Sequence, residues 1–393
     1  MNTLLGLEEA QARLLALAPQ LPFEAVPTQD SLGRTIAGDL RAARTQPAAD
    51  LSAMDGYALG GGEGPWTLVG ESRAGAPFGS VLGAGECVRI STGAVVPDGA
   101  DRVLLQEDAV ATGASVIAAE IPPPGRHIRK RGFDFNAGDP VLDQGTVMTP
   151  ARIALALAAG HSQVMIARRP RVVVMDSGDE LSPDPANCAP HQIPASNAAM
   201  IAAMLEPLGC KVTRIGPVPD SRAALAAALA KAESADILIT SGGASVGDHD
   251  LIKPALAEWE AETAFWKVAI KPGKPLLVAT RGPQVILGLP GNPVSCFVTA
   301  FLFALPLVRA AMGDPVPLPR SVMMPLGEDL PAVGKRREFL RAVSDGGAVR
   351  LAGSQDSSAL SALAAADCLI DRPAGAPAAV AGTHVPVFYL RNG

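Results

Sequence analysis

Between residues 171 and 312, short apolar runs alternate with longer stretches of helical character. Arg171–Met175 is a β-branched run, followed by a loop and a helix over about 196–208. Lys211–Ile215 reads as the next strand, with an Ala-rich helix over 221–233, and Asp236–Thr240 as a third strand. A helix near 250–260, strands near 275–280 and 284–288, and an apolar helix from 293 complete the series. Alternating strand and helix predicts a parallel, doubly wound sheet with helices on both faces. Ligands in such sheets sit at the carboxyl ends of the strands.

The rest of the chain has a different texture. Residues 40–150 hold short apolar runs cut by Gly and Pro, namely Trp66–Val69, Cys87–Ile90, Val103–Gln106, Val116–Ala118 and Val141–Leu142. That punctuation predicts a small all-β domain. Residues 150–160 start with Pro and end with Gly, the boundary signals of a short helix. Leu7, Ala10, Leu14 and Leu17 mark one face of an N-terminal helix. Glu8, Glu9 and Arg13 interrupt it, and Met1–Leu5 has no basic residue, so a signal peptide is not expected. The most apolar run, Cys296–Val308, contains Pro306 and ends at Arg309. It falls short of the roughly 20 residues of a membrane span and reads as a buried helix. Residues 313–320 form a Pro-rich stiff linker, and 321–393 return to short strands and turns.

Composition narrows the class. The 393 residues call for two to four domains. Apolar residues make 48% and charged residues 18%, which excludes a disordered chain. The net charge of −6 excludes a generally basic nucleic-acid binder. The 40 Gly and 35 Pro exceed the usual share without reaching low complexity. Cys87, Cys188, Cys210, Cys296 and Cys368 are odd in number and widely spaced, which fits buried thiols in a reducing cytosol. A cytoplasmic protein is expected, with neither membrane nor nucleic acid as partner.

Four loops carry candidate chemistry. In Thr240–Asp250, Gly242, Gly243 and Gly247 with Ser241 and Ser245 can form an anion-binding nest after a strand, or a plain turn. Asp248 and Asp250 suit a hard cation such as Mg2+, or helix capping. In Leu289–Ser295, Asn292 can cap a helix that begins at Pro293. In Trp266–Pro275, Lys267, Lys271 and Lys274 lie in an apolar setting, with a tetrahedral oxyanion or a phosphate as the natural partner. In Met175–Leu181, Ser177 and Gly178 supply donors and Asp179 and Glu180 supply carboxylates. Ser52–Ala58, Arg89–Ala94 and Ile128–Arg131 read as ordinary loops or turns when taken alone. His127, His161, His191, His249 and His384 are scattered and read as structural.

Together these motifs resemble the molybdopterin molybdenumtransferase family, the molybdenum-inserting enzymes that include the gephyrin E-domain. The matching blocks are Ser52–Ala58, Arg89–Ala94 with Val96–Ala100, Gly178–Leu181, Thr240–Asp250, Trp266–Pro275, Gly288–Ser295 and Arg337–Phe339, in the family's order. The resemblance implies an α/β plus β multidomain fold. A doubly wound, mostly parallel α/β pterin-binding domain (171–314) is flanked by a split N-terminal region (1–45 and 140–170) with an inserted β domain (46–139), and by a C-terminal β domain (315–393). It implies a homodimer whose cleft lies between the α/β domain of one copy and the N-terminal half of the other, with other enzymes of molybdenum cofactor synthesis as partners. The implied reaction inserts molybdate into adenylylated molybdopterin at the dithiolene, with Mg2+-dependent release of AMP.

The resemblance also distributes roles. Asp55, Thr92, Glu180 and Asp250 would be catalytic; Lys271, Lys274 and Ser295 would hold molybdate. Ser241, Gly242, Gly243, Ser245, Gly247, Pro290, Gly291 and Asn292 would hold the pterin and its phosphate, and Asp248, Asp250 and Glu180 the metal. Three positions depart from the family pattern. Asp176-Ser177 replaces Ser-Thr, Ala195 replaces the Asp of Asp-Ser-Asn, and Phe133 stands where Glu is common. The rival readings are a non-catalytic pterin carrier or scaffold of the same fold, the related adenylyltransferase, and a general nucleotide or sugar-phosphate binder. The adenylyltransferase normally lacks the extra β domains, so the chain length argues against it.

Overall fold

The computed structural model describes residues 4–242 and 251–390. The chain divides into two compact units, one of residues 26–32 and 38–164, the other of 1–25, 33–37 and 165–393.

The smaller unit centres on a six-stranded sheet in the order Ala100–Leu105, Gly56–Gly60, Glu86–Ile90, Trp66–Ser72, Ser115–Ala118, Ala109–Thr112. The stretch expected to be a loop at Ser52–Ala58 instead enters this sheet, with Gly56 opposite both Ile90 and Leu105. A Cβ on Gly56 would meet the Leu104 carbonyl oxygen at 1.9 Å, so close strand approach, not a turn, demands this glycine. The expected helix is present at Pro150–Ala158, capped by Thr149, whose hydroxyl accepts the Arg152 N–H.

The larger unit holds the α/β sheet. Its strands run from edge to edge as Lys211–Val218, Arg171–Ser177, Ile237–Ser241, Gln284–Leu289, Leu277–Arg281, Glu262–Trp266. The near-continuous apolar sequences of the inner strands Arg171–Ser177, Ile237–Ser241 and Gln284–Leu289 follow from burial on both faces. Val172, Val174, Ile237, Ile239, Val285 and Leu287 pack toward the helices Leu7–Leu15, Asn197–Leu205 and Pro293–Ala311. Val173, Met175, Leu238 and Ile286 pack toward Arg222–Lys231 and Ile252–Glu258. The first four strands in that order are parallel; Leu277–Arg281 runs against them, and Glu262–Trp266, antiparallel to it, runs with them. The sheet is therefore mostly parallel, as expected, with Leu277–Arg281 running against the other strands. Only Gly282 and Pro283 separate Leu277–Arg281 from Gln284–Leu289, too short a link for a parallel crossover.

The apolar helix Pro293–Ala311 has a mean hydropathy of 1.9 and is 83% buried inside the unit. Pro306 lacks the N–H that would meet the Leu302 carbonyl, and the helix is locally widened over Ala300–Ala304. Gln11 Nε2 donates to that carbonyl at 2.9 Å, which accounts for a buried Gln on the N-terminal helix.

A second sheet of the larger unit runs Ile270–Lys271, Arg337–Ser344, Cys368–Arg372, His384–Tyr389, Val322–Pro325, with Val349–Leu351 beside Arg337–Ser344. Ile270–Lys271, expected as part of a loop, is a short strand parallel to Arg337–Glu338. Phe301 of the long helix meets Phe388 edge-on at 6.1 Å, and Phe339 lies 6.3 Å from Phe388. This aromatic group joins the α/β core to the second sheet.

Candidate active site

The strand Arg171–Ser177 has Lys211–Val218 on one side and Ile237–Ser241 on the other, so the order of connection reverses there. At such a switch point the carboxyl ends diverge and leave a crevice. A small cleft lies at that place, lined by residues that include Asp176, Ser177, Glu180, Asn197, Ser241, Gly242 and Gly291. Gly242 has φ of 94°, and a Cβ there would meet the Ser177 carbonyl oxygen at 2.5 Å. Only glycine lets the chain leave the strand in this direction.

A buried polar cluster holds the cleft together. Asn197 Nδ2 donates to Ser241 Oγ at 2.8 Å and to the Gly291 carbonyl at 2.7 Å. Asp176 Oδ2 accepts the Ala198 N–H at 3.0 Å, at the start of helix Asn197–Leu205. Asp176 was expected to place a negative charge beside an anion site. The structure gives that charge a helix N-terminus to face, while burial still pushes the carboxyl above its ordinary value, against the Ala198 and Ser241 hydrogen bonds.

Three carboxylates collect nearby. Asp179 Oδ1 accepts the Asp220 N–H at 3.0 Å. Burial pushes the Asp220 carboxyl up, and Asp179 and Glu180 add repulsion. Sequence reasoning missed Asp220; its signal was an acidic residue just past the carboxyl end of a neighbouring strand.

A larger cavity of about 420 Å3 lies beside the second sheet. Lys271, Lys274 and Ser295 line it, with Arg336, Arg341 and Ser357. Lys271 Nζ lies 2.9 Å from Glu338 Oε1. Four cationic side chains against Glu338 and Asp356 leave the lining with a net of two positive charges. Arg341 is buried, donates to the Ser354 and Asp356 carbonyls, and has an Nε without a partner among the described residues. Lys267 turns away from this group, its Nζ 3.7 Å from the Trp266 ring centre. Ser295 lies in the first turn of helix Pro293–Ala311, whose N-terminus favours anions.

Gly291 borders the small cleft and Ser295 the large cavity, so one segment walls both. The buried Pro290 leads into it. Asn292, expected to cap the helix, makes no side-chain cap; its Nδ2 donates to Ser357 Oγ at 3.0 Å. In the smaller unit, Asp55 Oδ1 accepts the Thr92 N–H at 2.7 Å, so these two distant positions are neighbours. Gly243, Ser245, Gly247, Asp248 and Asp250 lie outside the described residues. Among the described residues no group of three or more His, Cys, Asp or Glu has the arrangement of a metal site.

A doubly wound sheet with a crevice at its switch point, next to a cationic cavity, defines an α/β protein that handles anionic ligands. Comparison with known proteins specifies it further. Three family models match in order: MoeA N-terminal region (domain I and II) over residues 5–160, probable molybdopterin binding domain over 173–310, and MoeA C-terminal region (domain IV) over 324–390. The molybdopterin molybdenumtransferase of Haemophilus influenzae is 37% identical over 321 residues, covering 79% of this chain and 78% of its own. Molybdopterin molybdenumtransferase 2 of Mycobacterium tuberculosis is 34% identical over 383 residues, covering 93% and 94%. The crystal structure of the molybdopterin biosynthesis MoeA protein from Pyrococcus horikoshii superposes with a TM-score of 0.83 at 27% identity, covering 99% of each chain. The chain belongs to the molybdopterin molybdenumtransferase family.

Proposed function

We propose that this chain inserts molybdenum from molybdate into adenylylated molybdopterin at the dithiolene and releases AMP. The observation that carries the reading is the 420 Å3 cavity with its net of two positive charges, which complements a tetrahedral dianion. Lys271, Lys274 and Ser295 hold molybdate there, with Arg336 and Ser357 as further donors. Ser241, Gly242, Pro290, Gly291 and Asn292, with Gly243, Ser245 and Gly247, take the pterin and its phosphate side. Because Gly291 and Ser295 belong to one short segment, the two substrates are brought together across it.

Asp55, Thr92, Glu180 and Asp250 are the proposed catalytic residues. Glu180, with Asp248 and Asp250, would hold Mg2+. The donor chemistry suits it: carboxylate oxygens fit a hard cation, and the repulsion that Asp179 and Glu180 exert on Asp220 is what such a cation relieves. When bound, Mg2+ neutralises charge on the pyrophosphate. The proposed assembly is a homodimer in the cytoplasm, and the proposed domains are 1–45 with 140–170, 46–139, 171–314 and 315–393.

The test mixes purified protein with adenylylated molybdopterin, molybdate and Mg2+ and follows AMP. Molybdate-dependent release that stops on chelation of Mg2+ is expected. Pterin binding with no molybdate-dependent AMP refutes the reading and points to a carrier.

A further inference from the structure

Of the four cations that line the large cavity, Lys271, Lys274 and Arg336 reach solvent, whereas Arg341 is 1% exposed. A buried guanidinium normally faces a carboxylate. This one faces backbone: Nη2 donates to the Ser354 and Asp356 carbonyls, at 3.0 Å each. The Asp356 carboxylate is turned to Ser358, whose N–H and hydroxyl donate to Oδ1 at 2.9 and 2.6 Å. The backbone of Arg341 grips the same segment. Its N–H donates to Gln355 Oε1, and its carbonyl accepts from Gln355 Nε2, both at 2.8 Å. Four hydrogen bonds thus fasten three consecutive residues to one position of strand Arg337–Ser344.

The next residue is Ser357, which lines the cavity. Its carbonyl accepts the Val294 N–H at 3.2 Å, and its Oγ accepts from Asn292 Nδ2 at 3.0 Å. Ser357 is therefore held between the strand and the first turn of helix Pro293–Ala311, the turn that carries Ser295. A hydroxyl that accepts in this way keeps its one hydrogen to donate. A neutral donor contributes only at hydrogen-bonding distance and angle, unlike a charge, which acts at range. Ser357 needs bracing where Lys271 does not.

We propose that Arg341, acting with Gln355, is a positioning residue that sets the Ser357 hydroxyl as a donor to the tetrahedral oxyanion in the cavity. The proposal rests on the molybdate reading above. Arg341 makes no contact with the anion: its guanidinium works on the carbonyls of Ser354 and Asp356, and Ser357 carries the effect.

Calorimetric titration of the full chain with molybdate, arranged as a double-mutant cycle, tests it. Ser357→Ala removes the donor and should weaken binding about tenfold. Arg341→Lys keeps the charge, loses the planar fork and should weaken binding about fivefold. In the Ser357→Ala background, Arg341→Lys should then add nothing, a result that neither a lost charge nor a general loosening of the site produces. Gln355→Ala frees the other tie and should behave alike, which decides the matter if the lysine variant does not fold. Wild-type affinity in either folded variant, or effects that add in full to that of Ser357→Ala, overturns the proposal. Lys271→Ala is the control. Weakened binding there, with the Arg341 and Gln355 variants unchanged, sinks this proposal alone, whereas no molybdate binding by the wild type sinks the molybdate reading with it.

Discussion

Removing Lys271 should weaken molybdate binding by a calculable amount. Its Nζ sits in the cationic cavity, 2.9 Å from Glu338 Oε1, with the lysine side chain 55% exposed and the glutamate 18%. Two unit charges about 4 Å apart interact by about 1 kcal/mol in water and about 4 kcal/mol at an effective dielectric near 20. A dianion doubles both figures. Half exposure puts Lys271 toward the watery limit, so about 2–3 kcal/mol is expected for Lys271→Ala, roughly a 30–150-fold rise in Kd. Glu338→Gln removes the opposing charge and should shift affinity the other way, toward tighter binding. Calorimetric titration with molybdate at low salt reads both, and raising the salt should shrink both effects. Unchanged affinity in both variants, or shifts in the same direction, refutes the charge argument.

Other outcomes follow from burial and pairing. Gln11→Ala strands the Leu302 carbonyl that Pro306 cannot serve, and should cost about 1–3 kcal/mol in denaturant unfolding. The Asp176 carboxyl is pushed up from its ordinary value of 3.8 by burial, so its contribution to stability is full below that value and falls as pH rises through the raised one. Asp176→Asn should therefore gain stability relative to wild type as pH rises from acid to neutral, and a constant difference across that range counts against the assignment. Phe339→Ala, at a fully buried position beside Phe388, should cost about 3–5 kcal/mol. Burial pushes the Cys87 thiol to about 11 and those of Cys210, Cys296 and Cys368 to about 12, so mild alkylation near neutral pH should reach the partly exposed Cys188 first.

The sequence made the α/β half legible because strands buried on both faces write apolar runs that need no partner to be recognised. The helix from Pro293 declared itself by proline at its first position and by length. What stayed hidden depends on residues far apart. Ile270–Lys271 has no strand signature of its own; its partner Arg337–Glu338 is 67 positions from Lys271 to Glu338. Arg336 and Ser357 enter the cavity only through that pairing and through the Asn292–Ser357 hydrogen bond. Their available signal was proximity to the Arg337–Phe339 block. Asn292 had the right identity and place for a cap, but tertiary docking gave its side chain a different partner. Asp176 read as a charge out of place until the helix start at Ala198 supplied its counterpart.

The two-residue strand Ile270–Lys271 acts as a phase setting between two sheets. It pairs Ile270 with Arg337 and Lys271 with Glu338, which buries the isoleucine and turns the lysine outward to the cavity. Side chains alternate along a strand, so a slip of a single residue would exchange those two orientations. Anion recognition here is thus encoded partly in chain length: one residue added or lost between Trp266 and Ile270 would draw the lysine out of the cavity while leaving every ligand-facing residue type unchanged.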